Sequence, residues 1–444
     1  MSFGRVVHRG WQVSPYTAKT RAYLKWKRVP FEDREPSFVE LYSKVRPNIG
    51  GKVMMPTVEV LGRDGSTWLQ DSSDIVDYFE AATVGAGAPS SAGGGDAGVR
   101  GSVFPAAPAC RVASALLELF SDEWLPMAAL HYRWNNPNAA HFARSEFSRS
   151  GIPWLPTPLH ASVGAALMGL PARKLTGYLP VLGVRSDAAR AAVEATMETT
   201  LAAMEATLAA PDGGQGMHGF LLGPAPCLGD FALYGPVWGH VFRDGGSPQL
   251  FDARPNLRKW MRRITDGEYI DGGDDSNTGS TGSTGNDGEP TAEGTTAATA
   301  RLPPEALDPL FGLIMSDQLA WVATLEAAVQ RFVALNPTAA RLPRSLGSAP
   351  FSLRGVEGSR TLVTFVQYKA QRVARALEEA ENAGGAEEVA AWLRRVCRAG
   401  AGAEPGVARD RLLALAEKPT ARDMLPRFKH PIRREGFDFR FSSQ

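Results

Sequence analysis

The stretch from Arg5 to Phe79 permits few architectures. Arg5-Val6-Val7-His8-Arg9 is apolar and β-branched enough to be a short strand, and the pattern changes at Ser14-Pro15. A serine hydroxyl accepts from an unpaired backbone N–H at a helix start, and proline is tolerated at the first helical position because its missing N–H has no partner there. The sequence therefore predicts a helix from Pro15 to about Arg28, with Ala18, Ala22, Tyr23 and Trp26 near one face. Val29-Pro30-Phe31-Glu32 turns into a second strand. Pro56 to Val60 and Thr67 to Gln70 flank a Gly62-Arg63-Asp64-Gly65 turn as a hairpin, and Asp71-Ser72-Ser73 supplies capping groups for a helix carrying Ile75, Val76 and Phe79. The order is strand–helix–strand, an irregular connection, then strand–strand–helix.

Residues 83–107 are rich in Gly, Ala and Ser and read as a surface linker. From Pro108 the periodicity is helical: Val112, Leu116, Leu119 and Phe120 recur at three- and four-residue steps, Trp124 follows on the same side, and Pro126 ends or kinks the helix. A second long helix is predicted from Asp187 to Ala209, with Ser186 as its cap. Residues 268–300 contain a Gly-Ser-Thr-Gly-Ser-Thr-Gly core, cannot bury apolar area, and are predicted to be disordered. Beyond them, residues 301–444 read as mostly helical. Pro304 to Leu335 is amphipathic, one hairpin spans Phe351 to Phe365, a helix follows to Glu381, and short helices and a basic tail complete the chain. These helices have too few partners to bury their stripes alone, so they are expected to pack on the preceding helical part.

Composition removes several classes of function. With 48 Lys and Arg against 47 Asp and Glu, there is no electrostatic case for nucleic acid. The three cysteines, Cys110, Cys227 and Cys397, lie far apart, which fits a reducing compartment. The seven histidines show no paired-ligand spacing, so no metal is expected. No run approaches the roughly 18 apolar residues that cross a bilayer, so no membrane association is expected. Before Glu32 the chain is basic and free of acids, as an organellar presequence is. Those residues already build the first strand and helix, so a cytoplasmic protein with this start is expected.

The element order, with Ser-Pro at the first strand-to-helix junction and Pro opening the third strand, resembles the thioredoxin-fold half of Ser- and Cys-type glutathione transferases. Ser14-Pro15-Tyr16, Met55-Pro56 and Asp71-Ser72 stand where that family carries Ser/Cys-Pro-Phe/Tyr, a Val-Pro with a cis proline, and Glu/Gln-Ser. Gly219-Phe220-Leu221 through Pro226-Cys227 to Asp230 resembles the signature that opens the central helix of the family's all-α half, with Cys227 where a capping hydroxyl is expected. Arg254-Pro255-Asn256-Leu257 and Trp260 resemble the start of the next helix. The implied fold is α/β plus all-α: a thioredoxin-like glutathione-binding domain at 1–82, the linker at 83–107, an all-α helical-bundle domain at 108–267, the second linker at 268–300, and a mostly helical extension with one β-hairpin at 301–444. The extension resembles that of a group of bacterial and algal transferase-like proteins.

The resemblance implies conjugation of glutathione to small hydrophobic electrophiles. A thiol with a pKa of about 8.5 is mostly protonated at neutral pH, and a hydroxyl donor at the positive end of a helix lowers that value. Ser14 is placed to donate to the thiolate, or it caps the helix and nothing more; Thr17 and Tyr16 are reserve donors. Met55, before a cis Pro56, would pair its main chain with the cysteinyl part of glutathione; the plainer role for Pro56 is to open an edge strand. Asp71 and Ser72 would hold the γ-glutamyl group, a role compatible with capping. Lys52 would meet the glycyl carboxylate or simply be solvated. Trp124, Tyr132 and Trp134 would line the electrophile pocket or belong to the core. A serine rather than a cysteine at position 14 argues against thiol exchange. The family's usual assembly is a homodimer. The alternative is a catalytically silent scaffold whose extension binds other proteins, favoured by the long linkers, the departures at Asp71 and Cys227 and the lack of a chemical motif in the extension.

Overall fold

The computed structural model describes residues 4–62, 65–84, 100–209, 219–266, 302–403, 406–435 and 438–442. The linker predicted at 268–300, most of that at 83–107, and Arg63-Asp64 of the first hairpin turn lie outside these residues.

The first half is a four-stranded sheet. Strand β1 (Arg5–Arg9) is followed by helix α1 (Pro15–Trp26) and β2 (Phe31–Arg34), which returns parallel to β1. Strands β3 (Thr57–Gly62) and β4 (Gly65–Gln70) complete the sheet antiparallel, in the order β2-β1-β3-β4. Helix α2 (Ser72–Val84) then packs Ile75, Val76 and Phe79 against the sheet, all fully buried. Helix α1 stops before the predicted Arg28 because that residue takes a left-handed conformation at φ 57°, while the Lys27 and Arg28 N–H groups close on the carbonyls of Tyr23 and Lys25.

The second half is helical. Helices α3 (Pro108–Glu123), α4 (Pro126–Trp134) and α5 (Pro137–Gly151) each begin on a proline, which costs nothing where the N–H would be unpaired. Helix α6 (Asp187–Ala209) is capped by Ser186, which accepts from the Ala189 N–H at 3.1 Å. Helix α7 (Leu228–Pro236) opens on Asp230, whose carboxylate accepts from the backbone N–H of Leu221 and Cys227, each at 3.0 Å, and from the Trp260 indole at 2.9 Å. The Cys227 thiol donates to the same carboxylate at 3.2 Å, so the residue that replaces the capping hydroxyl acts as a donor. Trp260 lies on α8 (Pro255–Asp266). Close approach of α7 to α1 requires Gly235, where a Cβ would stand 2.6 Å from the Pro15 carbonyl oxygen.

The extension begins with α9 (Asp308–Leu313) and, after one wide turn, α10 (Leu319–Leu335). Strand β5 (Arg341–Leu342), the hairpin of β6 (Ser345–Leu353) and β7 (Val356–Val363), and helix α11 (Phe365–Asn382) follow. Next come α12 (Ala386–Ala403), α13 (Gly406–Ala416) and the strands β8 (Ile432–Glu435) and β9 (Asp438–Phe441). The predicted hairpin is present. The structure adds a three-stranded sheet, β5-β9-β8, in the tail and makes α12 longer than the expected short helices. The tail strands were hard to read because Ile432, Phe439 and Phe441 are buried among arginines in runs of four residues. Helices α11 and α12 lie on α3, and one hydrophobic cluster runs through both halves and the extension.

Candidate active site

Ser14 holds an extended conformation at the end of the β1–α1 connection, and its hydroxyl oxygen accepts from the Thr17 N–H at 3.3 Å. A serine hydroxyl has one hydrogen to donate besides its acceptor lone pairs. Among the described residues nothing accepts that hydrogen. The turn is braced by Arg133 of α4, which donates to the Val13 carbonyl at 2.7 Å and holds Asp244 at 2.5 Å. Ser14 opens onto a cavity of about 650 Å³ between the two halves, whose wall includes Met55, Asp71, Ser72 and Trp134. The Met55–Pro56 peptide is cis, the isomer that the resemblance implied. The Ser72 hydroxyl is buried beside the cavity with no partner among the described residues.

The extension supplies the remaining wall. Arg360 and Val363 of β7, Phe365 and Lys369 of α11, and Arg434 and Phe439 of the tail sheet all border the cavity. Lys369 donates to Asp71 at 2.8 Å, Ser73 Oγ at 2.6 Å and Asp122 at 3.2 Å. Burial alone would push the Lys369 ammonium down; Asp71, Asp122 and Glu118 outweigh it and hold the group well above its usual value. Burial likewise works against ionisation of Asp71, but Lys369 and Arg434 keep its carboxyl below the usual range. Lys19 of α1 joins the same cluster through Glu118 and Asp122, each at 2.9 Å. Arg372 bridges Glu118 at 2.7 Å and Asp77. The carboxylates that open α2 are thus matched by cations from the end of the chain.

Residues 9–87 match the family model described as Glutathione S-transferase, N-terminal domain, and residues 187–263 match that described as Glutathione S-transferase, C-terminal domain. The chain belongs to the glutathione S-transferase superfamily. Neither match reaches past residue 263, so the extension lies outside both. Among solved structures, the chain is similar to the beta-etherase LigF from Sphingobium sp. strain SYK-6, at 16% identity over 60% of this chain and 95% of that one, TM-score 0.38. FzlA from C. crescentus is similar at 15% identity over 59% and 87%, TM-score 0.34. A glutathione transferase family member from Pseudomonas fluorescens pf-5, solved with two glutathione bound, is similar at 11% identity over 60% and 92%, TM-score 0.29. No curated protein matches the chain.

Within this fold the site residues expected from sequence divide. Ser14, Tyr16, Met55, Asp71, Ser72 and Trp134 meet at the one cavity. The Tyr16 hydroxyl is already committed to the Asp122 carbonyl at 2.9 Å, and burial together with Glu123 and Asp122 pushes the phenol well above its usual value. It therefore stays protonated and is spent on holding α1 to α3. Thr17 turns away: its hydroxyl packs where a Cβ on Gly10 would lie 2.3 Å from it, which is why residue 10 is glycine. Lys52 does not border the cavity. Trp124 is buried behind it against Phe351, with ring centroids 5.5 Å apart, and Tyr132 lines a second, separate cavity with Glu194 and Glu198. Their aromatic spacing signalled packing. Sequence reasoning missed Glu123, Arg133, Arg360, Lys369 and Arg434. A signal existed for two of them: Arg360 falls in phase with buried Leu362 on β7, and Lys369 falls on the buried stripe of Val366, Ala370 and Val373. Among the described residues no group of His, Cys, Asp and Glu could hold a metal, and no helix is long and apolar enough to cross a membrane.

Proposed function

We propose that the protein conjugates glutathione to small hydrophobic electrophiles, with Ser14 donating a hydrogen bond to the glutathione thiolate. The observation that carries this reading is the unclaimed Ser14 hydroxyl hydrogen at the N-terminus of α1, on the wall of a cavity shared with Met55 and Ser72. A donor at that helix end favours the ionised sulfur over the thiol. Ser72 would serve the γ-glutamyl carboxylate, Met55 the cysteinyl main chain, and Trp134 the electrophile. Asp71 would meet the γ-glutamyl amino group through whatever acceptor capacity Lys369 leaves. A cytoplasmic location belongs to the same proposal.

The family's usual homodimer is also part of it. The extension already bridges the two halves, through Arg372 to Asp77 and Glu118 and through Arg434 to Asp74 at 2.9 Å, so a two-fold pairing would use surface outside that bridge. Light scattering of the purified chain decides this.

The enzymatic test is retention on immobilised glutathione, followed by turnover of 1-chloro-2,4-dinitrobenzene by the parent and by Ser14→Ala. Binding with turnover that drops on substitution supports conjugation. Failure to bind glutathione at all would instead leave the fold as a scaffold.

A further inference from the structure

The conjugation reading makes no use of Arg360. This residue lies on β7 with 2% of its surface exposed and borders the cavity. Its guanidinium stands over Trp124, Trp321 and Phe351, at 4.8, 5.4 and 5.5 Å from the ring centroids. One edge is satisfied, since Nη2 donates to the Glu123 carbonyl at 2.9 Å. Nη1 is buried without a partner, and among the described residues no carboxylate forms an ion pair with Arg360. Its neighbours differ. Lys19, Arg133 and Lys369 are equally buried cations at this junction, Arg372 is nearly so, and each has a carboxylate within 2.9 Å.

A buried charge without a counter-ion is costly, and arginine is the cation best suited to pair in-plane with a carboxylate while its faces rest on aromatic rings. Here the faces are taken by three rings and one edge by a main-chain carbonyl, which leaves the Nη1 edge. Glu123 lies beside it on the cavity wall, and no hydrogen bond or ion pair among the described residues reaches its carboxyl. Burial pushes that carboxyl up to about 8, so at neutral pH it is mostly protonated and does not neutralise Arg360. The cavity wall also carries apolar side chains, Trp134, Leu182, Val363 and Phe365 among them, beside the cations Arg344, Lys369 and Arg434.

We infer that the electrophile half of the cavity takes an apolar, aromatic-bodied molecule bearing one carboxylate, with Arg360 as its counter-ion. The inference rests on the conjugation reading for that molecule's role as electrophile, and it narrows the substrate class from hydrophobic to amphipathic and anionic. With an aryl chloride the glutathione thiolate forms the carbon–sulfur bond, chloride leaves with the electron pair of the carbon–chlorine bond, and the thiol proton passes to solvent. The carboxylate takes no part in the bond changes.

The probes are 4-chloro-3-nitrobenzoate and the uncharged 4-chloro-3-nitrobenzamide, which share a leaving group. In the parent protein the KM for the benzoate should be at least about tenfold below that for the amide. The ratio should fall to within about twofold in Arg360→Met and be partly kept in Arg360→Lys. Equal or better use of the amide by the parent overturns the inference, and that comparison needs no variant to fold. Calorimetric titration of 4-nitrobenzoate against 4-nitrobenzamide, without glutathione, separates the two proposals. A carboxylate preference there that Arg360→Met removes supports the anion site even if no conjugation occurs, while no preference overturns it even if conjugation does.

Discussion

Lys369 Nζ stands 2.8 Å from Asp71 Oδ1, joining residues 298 positions apart in the chain. Both residues line the cavity onto which Ser14 opens, so the extension completes the wall that the two family domains begin. Removing one partner of a buried ion cluster leaves the others uncompensated, typically at a cost of about 3–5 kcal/mol. Lys369→Met, which keeps the length and loses the charge, should lower the unfolding free energy by that amount in urea titrations. A loss below about 1 kcal/mol would show that the cluster is relieved by water instead.

Ser14 has two duties that one substitution separates. As a helix cap its loss costs about 1 kcal/mol of stability. As a donor to an anion it is worth about 1.5–3 kcal/mol, roughly a 10- to 100-fold change in rate. Ser14→Ala should therefore show a modest drop in melting temperature, a far larger drop in kcat for 1-chloro-2,4-dinitrobenzene, and retained glutathione binding. Turnover within twofold of the parent removes Ser14 from the chemistry.

Glu123 carries a pH signature. Its carboxyl is raised from about 4.5 to about 8 by burial, so between those values the unfolded chain ionises while the folded one keeps the proton. The folded state then binds more protons, and unfolding free energy falls with rising pH across that window. Glu123→Gln removes the dependence. The variant should gain stability relative to the parent as pH rises from about 4.5 to 8, with no further gain above; parallel stability curves would mean that Glu123 titrates normally.

Asp230 satisfies four donors at the opening of α7, and burial pushes its own carboxyl up. In Asp230→Ala the Leu221 and Cys227 N–H groups and the Trp260 indole lose their acceptor together. At about 1–3 kcal/mol for each unsatisfied buried group, a loss of 3 kcal/mol or more is expected by thermal denaturation. Restoring a hydroxyl by Cys227→Ser should move stability far less, since the thiol already donates to Asp230.

What was legible in the chain was whatever local chemistry dictates. Ser14-Pro15 set the start of α1, Pro126 separated α3 from α4, and Ser186 opened α6, because caps and prolines act on neighbouring backbone. Ser14, Met55, Asp71 and Ser72 came with the resemblance and do gather at one cavity. The extension's contribution was not legible, because pairing Lys369 with Asp71 or Arg360 with three distant rings depends on how β7 and α11 settle on α3. Trp124 and Tyr132 misled for a related reason: helical spacing shows that a side chain is buried, but not whether its neighbour is a cavity or another ring.

Asp71, Asp74 and Asp77, spaced three apart at the head of α2, each engage a cation drawn from residues 369–434. Those two stretches of sequence cannot drift independently. A neutral replacement at any of the three acids removes one tie between the tail and the head of α2, while Lys369 keeps Asp122 and Arg372 keeps Glu118, so related chains that lack this tail should also lack the acidic triplet, and those that keep one should keep both.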